Sequence, residues 1–78
     1  MMIFVVNCEY NIGETLIDCA FQNVDDAEAY INELSSDKAK AIARCKELIA
    51  LRAGEDMVPY LVEEYAVKFV IVADELNV

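Results

Sequence analysis

Apolar residues follow a two-residue rhythm near both ends of this chain and a three-to-four-residue rhythm through its middle. Residues Met2 to Tyr10 are rich in β-branched and aromatic types, which suits a strand. Asn11-Ile12-Gly13-Glu14 reads as a turn, with glycine free to take positive φ. Thr15 to Gln22 reads as a second strand. Two runs of similar length around a short glycine-containing turn predict a β-hairpin.

The helical rhythm starts after Asn23. Asp25 is the expected N-cap, with Glu28 three residues on as its capping-box partner. Val24, Ala27, Tyr30, Ile31 and Leu34 fall at helical spacing. Ser35-Ser36-Asp37 offers fresh caps before a second run through Ala39, Ile42, Cys45, Leu48, Ile49 and Ala53. Gly54 stands where a helix-terminating glycine belongs. One unbroken helix from 25 to 53 would be about 43 Å long at 1.5 Å per residue, too long for this chain. A break near Ser35-Ser36 is expected; a continuous, projecting helix is the alternative.

Residues 57–64 suit either a helical turn starting near Pro59 or an extended lead-in. Alternation then resumes, with Tyr65, Val67, Phe69, Ile71 and Ala73 on one side and Ala66, Lys68, Val70 and Val72 on the other. This predicts a third strand, followed by a fraying tail from Asp74 to Val78. The predicted fold is one α+β domain over 1–78: a β-hairpin, one long or two consecutive helices, then a third strand. Together these form a small antiparallel sheet covered by helix on one face.

Period 2 divides the sheet. The helix-facing side would carry Phe4, Val6, Cys8 and Tyr10, with Ile17, Cys19 and Phe21, and Tyr65, Val67, Phe69 and Ile71. The other side would carry Ile3, Val5, Asn7 and Glu9, with Leu16, Asp18 and Ala20, and Lys68, Val70 and Val72. On that outer side Ile3, Val5, Leu16, Val70 and Val72 make an apolar patch, a candidate partner-binding face. A loop or the C-terminal tail covering it is the alternative.

Charge then sets the surface character. The chain has 78 residues, 58% of them apolar, and a net charge of −9 from 15 acidic and 6 basic residues, with no histidine. Such a surface repels phosphate backbones and anionic lipid, so direct binding to nucleic acid or membrane is not expected. It attracts basic protein surfaces, although acidity also serves solubility alone. The cations concentrate on the second helical run as Lys38, Lys40, Arg44, Lys46 and Arg52, leaving Lys68 elsewhere. Candidate acidic contacts are Glu9, Glu14, Asp18, Asp25, Asp26, Glu28, Glu63 and Glu64.

Chemistry is sparse. Histidine, a nucleophile elbow and a phosphate-cradling glycine loop are all missing, and no calcium-loop spacing occurs. Catalysis, cofactors and metals are therefore not expected. Cys8, Cys19 and Cys45 are odd in number and lack a CxxC pair, which argues against a secreted disulfide framework. Cys8 and Cys19 alternate onto the helix-facing side, and Cys45 lies on the helical apolar stripe. A reactive Cys45 would need exposure beside Arg44 or Lys46. The apolar run at the N-terminus is too short for a signal peptide or a span, so a cytoplasmic location is expected.

The chain resembles small uncharacterised proteins of bacteriophage genomes. The likeness rests on the strand Ile3-Phe4-Val5-Val6, the turn Tyr10-Asn11-Ile12-Gly13 and the strand Leu16-Ile17-Asp18-Cys19-Ala20-Phe21. It continues in the helix Asp26-Ala27-Glu28-Ala29-Tyr30-Ile31 and a closing Val62-Glu63-Glu64-Tyr65 strand. It covers about two thirds of the chain, and the segment 36–57 departs from the shortest members. It implies a phage-type accessory protein in the host cytoplasm and carries over no catalytic residues. The expected function is a non-enzymatic inhibitor that blocks a host protein with a basic surface, such as a nucleic-acid-handling defence complex. The alternative is a homodimeric structural or regulatory protein that assembles through the apolar sheet face.

Overall fold

A computed structural model describes residues 1–76 of the chain. Strands β1 (Met2–Tyr10) and β2 (Glu14–Phe21) form the predicted hairpin. Helices α1 (Val24–Ser35) and α2 (Lys38–Arg52) follow, and strand β3 (Lys68–Glu75) closes the sheet. The order is β2-β1-β3, with β1 central and antiparallel to both neighbours. The fold is α+β, with two consecutive helices on one face of a three-stranded sheet.

The helix break has a local cause. The Ser36 N–H still reaches back to the Asn32 carbonyl at 3.0 Å, and the Ser36 hydroxyl donates to the Glu33 carbonyl at 2.7 Å. Asp37 then takes extended backbone and caps α2 by accepting from the Ala39 N–H at 2.9 Å. A side chain that satisfies a first-turn N–H favours a new helix start over continuation. At the start of α1 the cap is Asn23, which accepts from the Asp25 N–H at 2.8 Å. The expected cap, Asp25, lies instead inside the first turn, where its charge favours the positive end of the helix dipole. At the end of α2, Gly54 sits at φ +115° while its N–H and that of Ala53 both bond the Ile49 carbonyl.

The segment after α2 combines the two expected forms, with helical backbone around Pro59 and extended backbone after it. Two short 3-10 helices, Glu55–Tyr60 and Glu64–Ala66, flank an extended break. The third strand therefore starts at Lys68 and not at Tyr65, and the Val62-Glu63-Glu64-Tyr65 segment is not a strand. Asp74 and Glu75, expected to fray, belong to β3, and the Leu76 N–H extends the ladder to the Met1 carbonyl at 2.7 Å. The rest of the expected fraying tail lies outside the described residues.

The core forms between sheet and helices. Val6, Cys8 and Tyr10 from β1 meet Phe69 from β3, Ala27 from α1, and Ala41, Cys45, Leu48 and Ile49 from α2. The α2 residues recur at helical spacing on one stripe. Leu61 and Val67 seal the end nearest the irregular segment.

The β2 register departs from simple alternation. Val6 pairs with Cys19, but the next β1 residue, Asn7, pairs with Ile17. Asp18 is the extra residue of a β-bulge, which reverses the facing of every β2 residue on its hairpin-turn side. Leu16, expected on the outer face, packs on the core. Ile17, expected in the core, is 56% exposed. Asp18, expected in solvent, is buried.

The hairpin turn holds a second departure. Asn11, Ile12 and Gly13 have φ of +47°, +42° and +101°. Asparagine and glycine tolerate this region; a β-branched residue does not, at roughly 1–2 kcal/mol. The Ile12 side chain is exposed and gains no packing in return. Ile12→Asn is therefore expected to stabilise the fold by about 1 kcal/mol, raising the thermal midpoint by roughly 4–8 °C. Calorimetry on both proteins checks this; an unchanged or lowered midpoint would refute the strain.

Candidate functional site

The strand register sorts the predicted acidic residues into two groups at opposite ends of the sheet. Met2 pairs with Glu75 and Phe4 with Phe21, so β1 begins where β2 and β3 end. Helix α1 starts from that end, bringing Asp25 and Asp26 in its first turn. These and Glu28 are exposed. At the opposite end Tyr10 pairs with Glu14 and Glu9 with Lys68. There the Asn11 side chain binds the backbone of residues 60–63, so Glu63 and Glu64 join Glu9 and Glu14. Glu14 is exposed, whereas Glu9 is paired with Lys68 at 3.4 Å and Glu64 with Lys46 at 3.2 Å.

Asp18 belongs to neither group. Its side chain is fully buried, and its Oδ1 accepts from Arg44 Nη2 at 2.6 Å and Nε at 3.2 Å. Its Oδ2 accepts from the Tyr30 hydroxyl at 2.5 Å, and its backbone carbonyl from Arg52 at 3.2 Å. The two guanidinium N–H groups converge on one carboxylate oxygen in a charge-assisted contact, which leaves the other oxygen to Tyr30. Burial pushes the Tyr30 phenol above its ordinary value, and the bond to Asp18 and that residue's charge push it further. The Asp18 hydrogen bond raises the Arg44 guanidinium above an already high value, so it stays charged. Asp18 thus ties β2 to both helices and is no partner contact.

The cations are all engaged within the chain. Besides Arg44 and Arg52, Lys38 donates to the Tyr65 carbonyl at 3.0 Å and Lys40 pairs with Glu33 at 3.8 Å. Lys46 and Lys68 hold Glu64 and Glu9. Arg44 also reaches Glu47 at 3.0 Å. Among the described residues no ion pair engages Glu14, Asp25, Asp26, Glu28, Glu55, Asp56, Glu63, Asp74 or Glu75. Glu63 accepts only a long bond from the Tyr65 hydroxyl, at 3.4 Å.

The outer sheet face survives with one exchange. Ile3, Val5 and Val70 are half-buried and Val72 is exposed. Cross-strand pairs set Val5 between Ala20 and Val72, and Asn7 between Ile17 and Val70. Ile17 replaces Leu16 in the patch, for the bulge swaps their facing. At its centre the Asn7 Oδ1 is buried without a hydrogen-bond partner among the described residues.

The thiols are structural. Cys8 and Cys45 are fully buried, and the Cys8 thiol is held above its ordinary range by its hydrogen bond with Cys45, then by burial. Neither meets the exposure that a reactive thiolate needs. Cys19 is half-buried, and burial followed by the charge of Asp18 raises its thiol too. A groove between α1 and α2 is lined by Tyr30, Glu33, Leu34, Lys40, Ala43, Arg44 and Glu47. Its charges pair with one another or with Asp18. Among the described residues no cluster of three or more metal-ligating side chains occurs, and no helix is long and apolar enough to cross a membrane.

Sequence reasoning missed one group. Ile12, Tyr60, Val62 and Tyr65 are all highly exposed around the hairpin turn. The only sequence signal for it was an isoleucine at a turn position that favours glycine or asparagine. No protein-family model, curated protein or solved structure matches this chain.

Proposed function

We propose that this is a non-enzymatic acidic binding protein that occupies a basic surface of another protein and blocks it sterically and electrostatically. The observation that carries the reading is the fate of the cations. All six basic side chains are bound to the chain's own carboxylates or carbonyls, while among the described residues carboxylates at both ends of the sheet have no cation. The outward field is therefore negative at both ends, which favours encounter with basic surfaces and disfavours phosphate backbones. The resemblance to phage accessory proteins gives the biological setting: an inhibitor of a host protein, such as a nucleic-acid-handling defence complex, in the host cytoplasm.

The test is capture from a bacterial lysate on the immobilised protein. Basic proteins should be retained at about 0.15 M salt and released by about 1 M, where screening shortens to roughly 3 Å. Glu14→Gln/Glu63→Gln or Asp25→Asn/Asp26→Asn/Glu28→Gln should weaken retention at least tenfold. Retention that survives high salt and both variants would contradict the reading.

A second reading is self-association through the outer sheet face. The apolar run of Ile3, Val5, Ile17, Val70 and Val72 around the unpartnered Asn7 Oδ1 favours it, and the net charge of −9 on each copy opposes it. It predicts a dimer by sedimentation at micromolar concentration, converted to monomer by Val70→Glu. A monomeric wild type would discard it.

A further inference from the structure

The hairpin-turn end combines apolar exposure, backbone strain and a built support. Ile12 is 81% exposed, Val62 73%, Tyr65 71% and Tyr60 65%. Such exposure places these side chains outward from the surface. They come from two stretches of chain held together by one residue. The Asn11 side-chain amide donates to the Tyr60 carbonyl at 2.5 Å, and its oxygen accepts from the Val62 N–H at 3.1 Å and the Glu63 N–H at 3.3 Å. Ile12 and Tyr65 line one shallow groove, so the two stretches are contiguous.

Neither the strain nor the exposure serves the isolated fold. Ile12 sits at φ +42° where asparagine or glycine would relax, and its side chain touches little. Strain held in place by surrounding bonds is a mark of a functional position. Tyrosine is enriched among the residues that carry most of the binding energy in protein interfaces. A tip already fixed by Asn11 loses little freedom on binding.

We propose that this tip is a docking knob: Ile12, Tyr60, Val62 and Tyr65 insert into an apolar cleft of a folded partner whose rim carries lysine or arginine. The proposal rests on the acidic-binding reading above and gives that reading a contact surface. The rim chemistry follows from charge. Among the described residues no ion pair engages Glu14 or Glu63, which flank the tip; of the nearby basic residues, Lys68 and Lys46 are held by Glu9 and Glu64, and Lys38 donates to the Tyr65 carbonyl. A second copy of the chain is the wrong occupant, because two facing tips would oppose Glu14 and Glu63 with their own copies. A basic rim neutralises them, and an apolar cleft covers the knob.

Site-specific photocrosslinking tests this in bacteria expressing the full chain. A benzophenone amino acid replaces Ile12, Tyr65, Asp26 or Val72 in turn. Positions 12 and 65 should give one discrete adduct to a basic protein. Excess unlabelled wild type should suppress it, and excess Ile12→Asn/Tyr65→Ser chain should compete at least tenfold less well. A thermal midpoint at or above wild type for the Ile12→Asn/Tyr65→Ser chain confirms that its weaker competition is not unfolding. Adducts from position 26 without any from 12 or 65 overturn the knob and leave acidic binding standing. An adduct of twice the chain mass, or adducts from 72 alone, overturn it in favour of self-association or the sheet face. No adduct from any position overturns both the knob and the acidic-binding reading.

Discussion

A carboxylate buried in a β-bulge organises this molecule. Taking Asp18 out of water costs several kcal/mol unless its lone pairs are filled. Arg44 fills one oxygen with two N–H groups and Tyr30 the other with its hydroxyl, while Arg52 takes the neighbouring carbonyl. These donors come from α1 and α2, so the bulge and the helix layer specify each other. In a β2 of regular alternation without the bulge, Asp18 would turn to solvent and leave Arg44 and Tyr30 without their shared acceptor. The network thus fixes a register as much as it adds stability.

The surfaces follow from that register. On the hairpin-turn side of the bulge, Leu16 turns in to the core and Ile17 turns out to the sheet's open face. The bulge also disrupts β2 as an edge strand, which hinders strand addition by another chain. Arg44 is drawn inward to the Asp18 carboxylate, and Arg52, itself exposed, holds the Asp18 carbonyl. The lysines hold local partners. What remains outside is acid at both ends of the sheet and an apolar tip at one of them.

The sequence announced the elements through signals that act locally. Asn11-Ile12-Gly13 marked the hairpin, Ser35-Ser36-Asp37 the helix break, Gly54 the end of α2, and alternation around Phe69 the closing strand. Each of these is a matter of backbone preference or periodicity within a few residues. The bulge is different, because one added residue leaves no trace in a two-residue rhythm. Either Leu16 or Ile17 fills an inward position equally well in composition. Partners outside the strand, Tyr30 12 residues away and Arg44 26 residues away, decide that Asp18 faces inward. For the same reason the candidate site was half legible. Exposed acids such as Asp25 and Asp26 stand where a helix start puts them, whereas the tip exists only because Asn11 reaches residues 60–63. Tyr65 looked like a core strand residue because its parity matched Val67 and Phe69. The 3-10 turn at Glu64–Ala66 breaks that parity.

A double-mutant cycle on Asp18 and Arg44 tests the organising role of the buried pair most directly. Asp18→Asn, Arg44→Gln and the double variant would be unfolded in urea beside the wild type. If the pair fixes the bulge and binds β2 to α2, each single change costs about 2–4 kcal/mol, and the coupling energy reaches about 2 kcal/mol. Additive effects within about 0.5 kcal/mol would show that the two residues act independently and would contradict the account.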